Sequence, residues 1–131
     1  MSETDETTDL RALDRDLADL MGWTPETFSD GVYWRDRAGV MWPYLPNFSG
    51  CKTLDPHVQW EGFGLLVEEA LRRGWEFSAA VWGRAGDGVP QAFITWRGRR
   101  LNNPWERAGS DIRHAFALAM RDALRAGKEA P

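Results

Sequence analysis

The chain has 131 residues, the length of one ordinary domain, and its 43% hydrophobic content supports a packed core and argues against a disordered chain. Its formal charge of −4, without a dense basic stripe, argues against a dedicated nucleic-acid binder. Cys51 is the lone cysteine, so an internal disulfide is excluded.

Residues 1–30 hold nine acids against Arg11 and Arg15, which leaves the remainder of the chain at +3. The first stretch, 1–8, is polar and acidic and reads as a frayed tail. It lacks the basic and apolar regions of a secretion signal, and no apolar run nears the roughly 20 residues needed to span a bilayer. These features point to a soluble, cytoplasmic protein with one domain over residues 9–127.

From Asp9 onward, Leu10, Leu13, Leu17, Leu20 and Met21 recur at three- and four-residue steps, which predicts an amphipathic helix capped by Thr8 or Asp9 and stopped at Gly22. Val32–Arg35 and Val40–Trp42 flank Asp36-Arg37-Ala38-Gly39 and predict a hairpin. The segment Pro43–Pro56 carries three prolines, so it is not regular structure throughout. Asp55-Pro56 signals a second helix, with Trp60, Phe63, Val67, Ala70 and Leu71 on its apolar face and Gly74 as its end. Strands follow over Trp75–Trp82 and Gln91–Arg97, separated by Gly86-Asp87-Gly88. Their apolar residues on both faces suggest a sheet covered on both sides. A polar loop, 98–109, leads to a last helix with Ile112, Phe116, Ala119, Met120, Ala123 and Leu124 as its stripe. The predicted fold is α+β in the order α-β-β-α-β-β-α, a four-stranded, mainly antiparallel sheet packed by three helices as an α/β/α sandwich.

Catalytic and metal-binding patterns are sparse. His57 and His114 are the only histidines, too few with Cys51 for a metal centre at workable spacing. Cys51 and His57 lie close in sequence, but a Pro-rich loop between them gives no nucleophile–base geometry. Gly62-Phe63-Gly64 lacks the preceding strand and third glycine of a phosphate loop and suits close helix packing better. Glu68 and Glu69, with Arg72 and Arg73 one turn on, read as a solvated face. We expect no enzymatic activity and no cofactor.

Two segments carry candidate binding residues. Trp42, Tyr44, Leu45 and Phe48 lie in an aromatic, proline-stiffened stretch that offers a rigid protein-contact surface, or else folds back to cover one end of the sheet. Arg97, Arg99, Arg100 and Trp105 interleave cations with aromatics, suited to a nucleotide or single-stranded nucleic acid, or else form a solvated hairpin end. The chain has eight tryptophans, most of which are expected in the core.

Several of these features together resemble the phage ABA-sandwich family of small phage and prophage proteins. They are the opening helix ending in Met21-Gly22-Trp23, the hairpin around Trp34, Pro46-Asn47-Phe48-Ser49, and the helix with Trp60 and Leu66-Val67-Glu68. The aromatic strand after Gly74 and the Ala-rich helix Ile112–Leu124 complete the match, over residues 9–126. The chain departs from the family where Gly50–Leu54 intervene before Asp55, and where Arg113-His114 follow Ile112. The resemblance implies an α-β-α layered fold and a phage or prophage setting without a defined activity. The leading expectation is therefore an accessory protein, monomer or homodimer, that binds a host or phage protein, for example as an inhibitor of host machinery or defence. The alternative is a nucleotide- or single-strand-binding module.

Overall fold

A computed structural model describes residues 3–49, 60–82, 89–103 and 112–129 of the chain. In order, the elements are α1 (Glu3–Leu20), β1 (Thr24–Phe28), β2 (Gly31–Arg35), β3 (Met41–Trp42), α2 (Glu61–Arg72), β4 (Glu76–Trp82), β5 (Val89–Trp96), β6 (Arg99–Arg100) and α3 (Ile112–Glu129). The fold is α+β, but the expected single four-stranded sheet is replaced by two three-stranded antiparallel sheets, β1-β2-β3 and β4-β5-β6. The order is thus α-β-β-β-α-β-β-β-α.

Two additional short strands account for the difference. β1 is Thr-Pro-Glu-Thr-Phe, a sequence with neither a β-branched run nor a clean apolar alternation, yet it pairs in register from Thr24↔Arg35 to Phe28↔Gly31. β6 is two arginines opposite Thr95 and Trp96. α1 begins at Glu3, so residues 3–8, expected as a tail, lie within its span. The Asp55-Pro56 start of the second helix and the Gly86-Asp87-Gly88 turn lie outside the described residues.

Both helices that lead into a sheet end in the same way. Gly22 (φ 85°) and Gly74 (φ 75°) take the left-handed conformation, where a side chain would be strained. Trp23 N–H then donates to Ala18 O at 2.8 Å and Gly22 N–H to Asp19 O at 3.1 Å. Trp75 N–H likewise donates to Ala70 O, and Gly74 N–H to Leu71 O, both at 3.0 Å. This pattern of bonds satisfies carbonyls left over at a helix end and turns the chain sharply. Each Gly-Trp step also buries its indole, so the helix stop and the core anchor coincide.

α3 occupies the middle of the molecule. It packs against α1, α2, β4 and β5. Residues 115–120 are buried without interruption, so this helix is enclosed all round rather than along one stripe. Its alanines at 115, 117, 119 and 123 let neighbours approach closely, while Phe116 and Met120 fill the space between. The β4–β6 sheet turns Ala92 and Ile94 inward and leaves Ser78 exposed on its other face, contrary to the expectation of cover on both sides. Buried Asn102 closes the sheet edge. It accepts from Ile94 N–H (2.8 Å) and donates to Ala92 O (2.9 Å), standing in for a strand beyond Leu101.

Candidate protein-contact surface

The segment 43–49 is ordered by groups far away in sequence. Asp14, fully buried on α1, accepts a hydrogen bond from Ser49 N–H at 2.7 Å and pairs with Arg11 at 2.8 Å. Arg11 also donates to Leu45 O (3.1 Å), and Ser49 Oγ donates to Leu10 O (3.0 Å). Loss of hydration on burial pushes the Asp14 carboxyl up to about 6, against the opposing pull of Arg11 and Ser49. From the other side α2 presses in at Gly62. A Cβ there would overlap the Asn47 carbonyl and sit 2.6 Å from Phe48 N. Gly62 is thus required by a close backbone approach, and Gly64, whose Cβ would touch nothing, is not.

These restraints sort the four candidate residues into two kinds. Phe48 is fully buried and Leu45 nearly so; both belong to the core and are not available to a partner. Trp42 is half-buried and Tyr44 is exposed. Between them runs a ladder of ring contacts, Phe48–Trp23 at 5.7 Å, Trp23–Trp42 at 5.5 Å and Trp42–Tyr44 at 6.3 Å. Trp42 Nε1–H donates to Asp36 Oδ2 (3.0 Å), while Asp36 Oδ1 accepts from Val40 N–H (2.9 Å) and fixes the β2–β3 turn. Partial burial opposes ionisation of Asp36, but the donors from Trp42, Val40, Ala38 and Gly39 together hold its carboxyl below the usual range. Tyr44 Oη–H donates to Glu61 at 2.7 Å and so bridges to the first turn of α2.

A second ladder emerges beside that bridge. Trp60, 52% exposed, meets Phe63 at 5.6 Å, Phe63 meets Phe116 at 5.2 Å, and Phe116 meets Phe77 at 5.4 Å. The guanidinium of buried Arg113, in the first turn of α3, lies over the Trp60 ring at 4.5 Å. Two rigid aromatic stacks rooted in the core thus surface together, linked through Tyr44 and Glu61.

No protein family, curated protein or solved structure matches this chain.

Sequence reasoning placed Trp60 on the apolar face of its helix and missed its exposure, because nothing local marks the residue that meets Arg113. The other candidates lie at the β5–β6 hairpin, where Arg97, Arg99 and Arg100 are all exposed. Trp105, Cys51 and His57 lie outside the described residues. Glu68 is exposed as expected, but Glu69 is largely buried between Arg72 (2.5 Å) and Arg73 (2.8 Å), with Arg37 of the β2–β3 turn at 4.0 Å. Its burial favours the neutral acid, yet the two α2 arginines outweigh this and lower its titration. Among the described residues, no three His, Cys, Asp or Glu side chains gather as metal ligands. No helix there is long and apolar enough to cross a membrane.

Proposed function

We propose that this chain acts by binding another protein, without a reaction of its own, as an accessory protein of a phage or prophage working in the host cytoplasm. The setting follows the sequence resemblance to the phage ABA-sandwich proteins. The mode of action rests on one observation, that Tyr44 and Trp60 emerge exposed from two core-rooted aromatic stacks beside a buried arginine. Tyrosine, tryptophan and arginine are the residues that carry most energy at protein interfaces. Side chains already fixed before contact lose little entropy on binding, so each contributes more of its gross contact energy. The contact surface is therefore Tyr44 and Trp60, supported by Trp42, while Leu45 and Phe48 hold it in place from below.

The test is affinity capture from host-cell lysate, with wild type compared against Tyr44→Ala/Trp60→Ala. Both substitutions sit at exposed positions, so near-ultraviolet circular dichroism should report a folded variant. A partner retained by wild type and lost by the variant supports the reading. The same captured set with both proteins, or none with either, refutes it.

A further inference from the structure

We propose that the β5–β6 hairpin is a contact site for single-stranded nucleic acid. Its turn is Arg97-Gly98, a two-residue loop between the paired residues Trp96 and Arg99. Both turn residues have positive φ, 52° at Arg97 and 78° at Gly98. That geometry is the one hairpins favour, but it suits asparagine, aspartate or glycine at the first position, and an arginine there is strained. The strain places a guanidinium at the tip, over the half-exposed Trp96 ring at 4.6 Å. Arg100, opposite Thr95, lies over Phe93 at 5.0 Å on the solvent side of the sheet, and Arg99 pairs with Trp96.

Several arginines elsewhere are paired with acids: Arg11 with Asp14, Arg35 with Glu26, Arg72 and Arg73 with Glu69, Arg125 with Asp16. Arg97, Arg99 and Arg100 have no carboxylate partner among the described residues, and no acid occurs between Gln91 and Asn103. Three unpaired guanidiniums within four residues, on a chain with net charge −4, make a local cation that the sequence as a whole does not need. Phosphates are the anions such a group takes most strongly, because the planar fork meets two oxygens at once. The rings decide which phosphate. A guanidinium stacked on Trp96 or Phe93 presents its outer face to a base, and every unpaired base offers a flat π surface. Bases within a duplex are not available to stack in this way, so a single strand is the matching ligand.

The experiment is fluorescence anisotropy of labelled single-stranded DNA of about 16 nucleotides, with the full chain at low salt and then titrated with salt. Wild type should bind with a log–log salt slope of about −2, from three phosphates at roughly 0.7 each. Arg97→Ala/Arg99→Ala/Arg100→Ala should weaken binding about tenfold or more and flatten that slope. Trp96→Ala should weaken it about tenfold with the slope kept. Should the triple variant misfold, Arg99→Ala alone, at an exposed and unpartnered position, should still lower affinity and reduce the slope by about 0.7. No binding by wild type, equal binding by the triple variant, or equal affinity for a duplex of the same length overturns the proposal. Displacement of the strand by polyglutamate at equal charge would also overturn it, and would make the hairpin a site for an acidic protein. Tyr44→Ala/Trp60→Ala should bind the strand as wild type does, so this site and the protein-contact surface fail or stand separately.

Discussion

Gly62→Ala adds one methyl group where α2 and the 43–49 segment touch backbone to backbone. Within a helix, alanine is favoured over glycine by about 1 kcal/mol. At Gly64, on the same helix with nothing within 4 Å of a new Cβ, that gain should appear almost whole. At Gly62 the methyl would overlap the Asn47 carbonyl, and Phe48 N at 2.6 Å would have to retreat most of an ångström to reach ordinary contact. The neighbours cannot rotate away, because they are main-chain atoms held by Asp14 and by buried Phe48. Overpacking of this kind costs about 1–3 kcal/mol while the propensity gain is common to both sites, so Gly62→Ala should be less stable than Gly64→Ala by about 1–3 kcal/mol. For a chain of this length that is a separation of about 3–12 °C in melting temperature. Urea unfolding followed by tryptophan fluorescence, with Gly64→Ala as the matched control, measures it. A Gly62→Ala protein as stable as Gly64→Ala would refute the close approach and, with it, the account of how Tyr44 is positioned.

Asp14 makes stability depend on pH. Its carboxyl titrates near 6 when folded, against 3.8 in an unfolded chain, so the folded state holds the proton more tightly. Its favourable contribution is full below the unfolded value and is lost as pH rises through about 6. Wild type should therefore lose about 1 kcal/mol more than Asp14→Asn between pH 5 and pH 7 in thermal melts; parallel pH profiles would contradict this. Asn102→Ala should cost about 1–3 kcal/mol, because it leaves the buried Ile94 N–H unpaired, and Ile94 amide hydrogen exchange should accelerate.

Local signals in the sequence reveal those parts of the fold that local chemistry controls. The leucine spacing of α1, the Gly22 and Gly74 stops and the β2–β3 hairpin around Asp36–Gly39 all depend on residues a few positions apart, and the structure has them. β1 was hidden because its pairing with β2 overrides the weak strand preference of Thr24-Pro25-Glu26. The division into two sheets, β1-β2-β3 and β4-β5-β6, was hidden as well, because no local spacing says whether the two hairpins join. The same holds for the candidate surface. Tyr44 was legible as an aromatic in a proline-stiffened stretch, but the burial of Leu45 and Phe48 follows from Asp14, 35 residues from Ser49. Trp60 gained its exposed position from α3 through Arg113, a contact no sequence spacing announces.

The most direct test of the central claim is isothermal titration of a captured partner against three proteins: wild type, Tyr44→Ala/Trp60→Ala, and Arg97→Ala/Arg99→Ala/Arg100→Ala. Loss of two interface anchors worth about 2 kcal/mol each should weaken the first variant by about 1,000-fold, with the arginine variant unchanged. Undiminished affinity of the Tyr44→Ala/Trp60→Ala protein would contradict the assignment of the aromatic surface as the contact site.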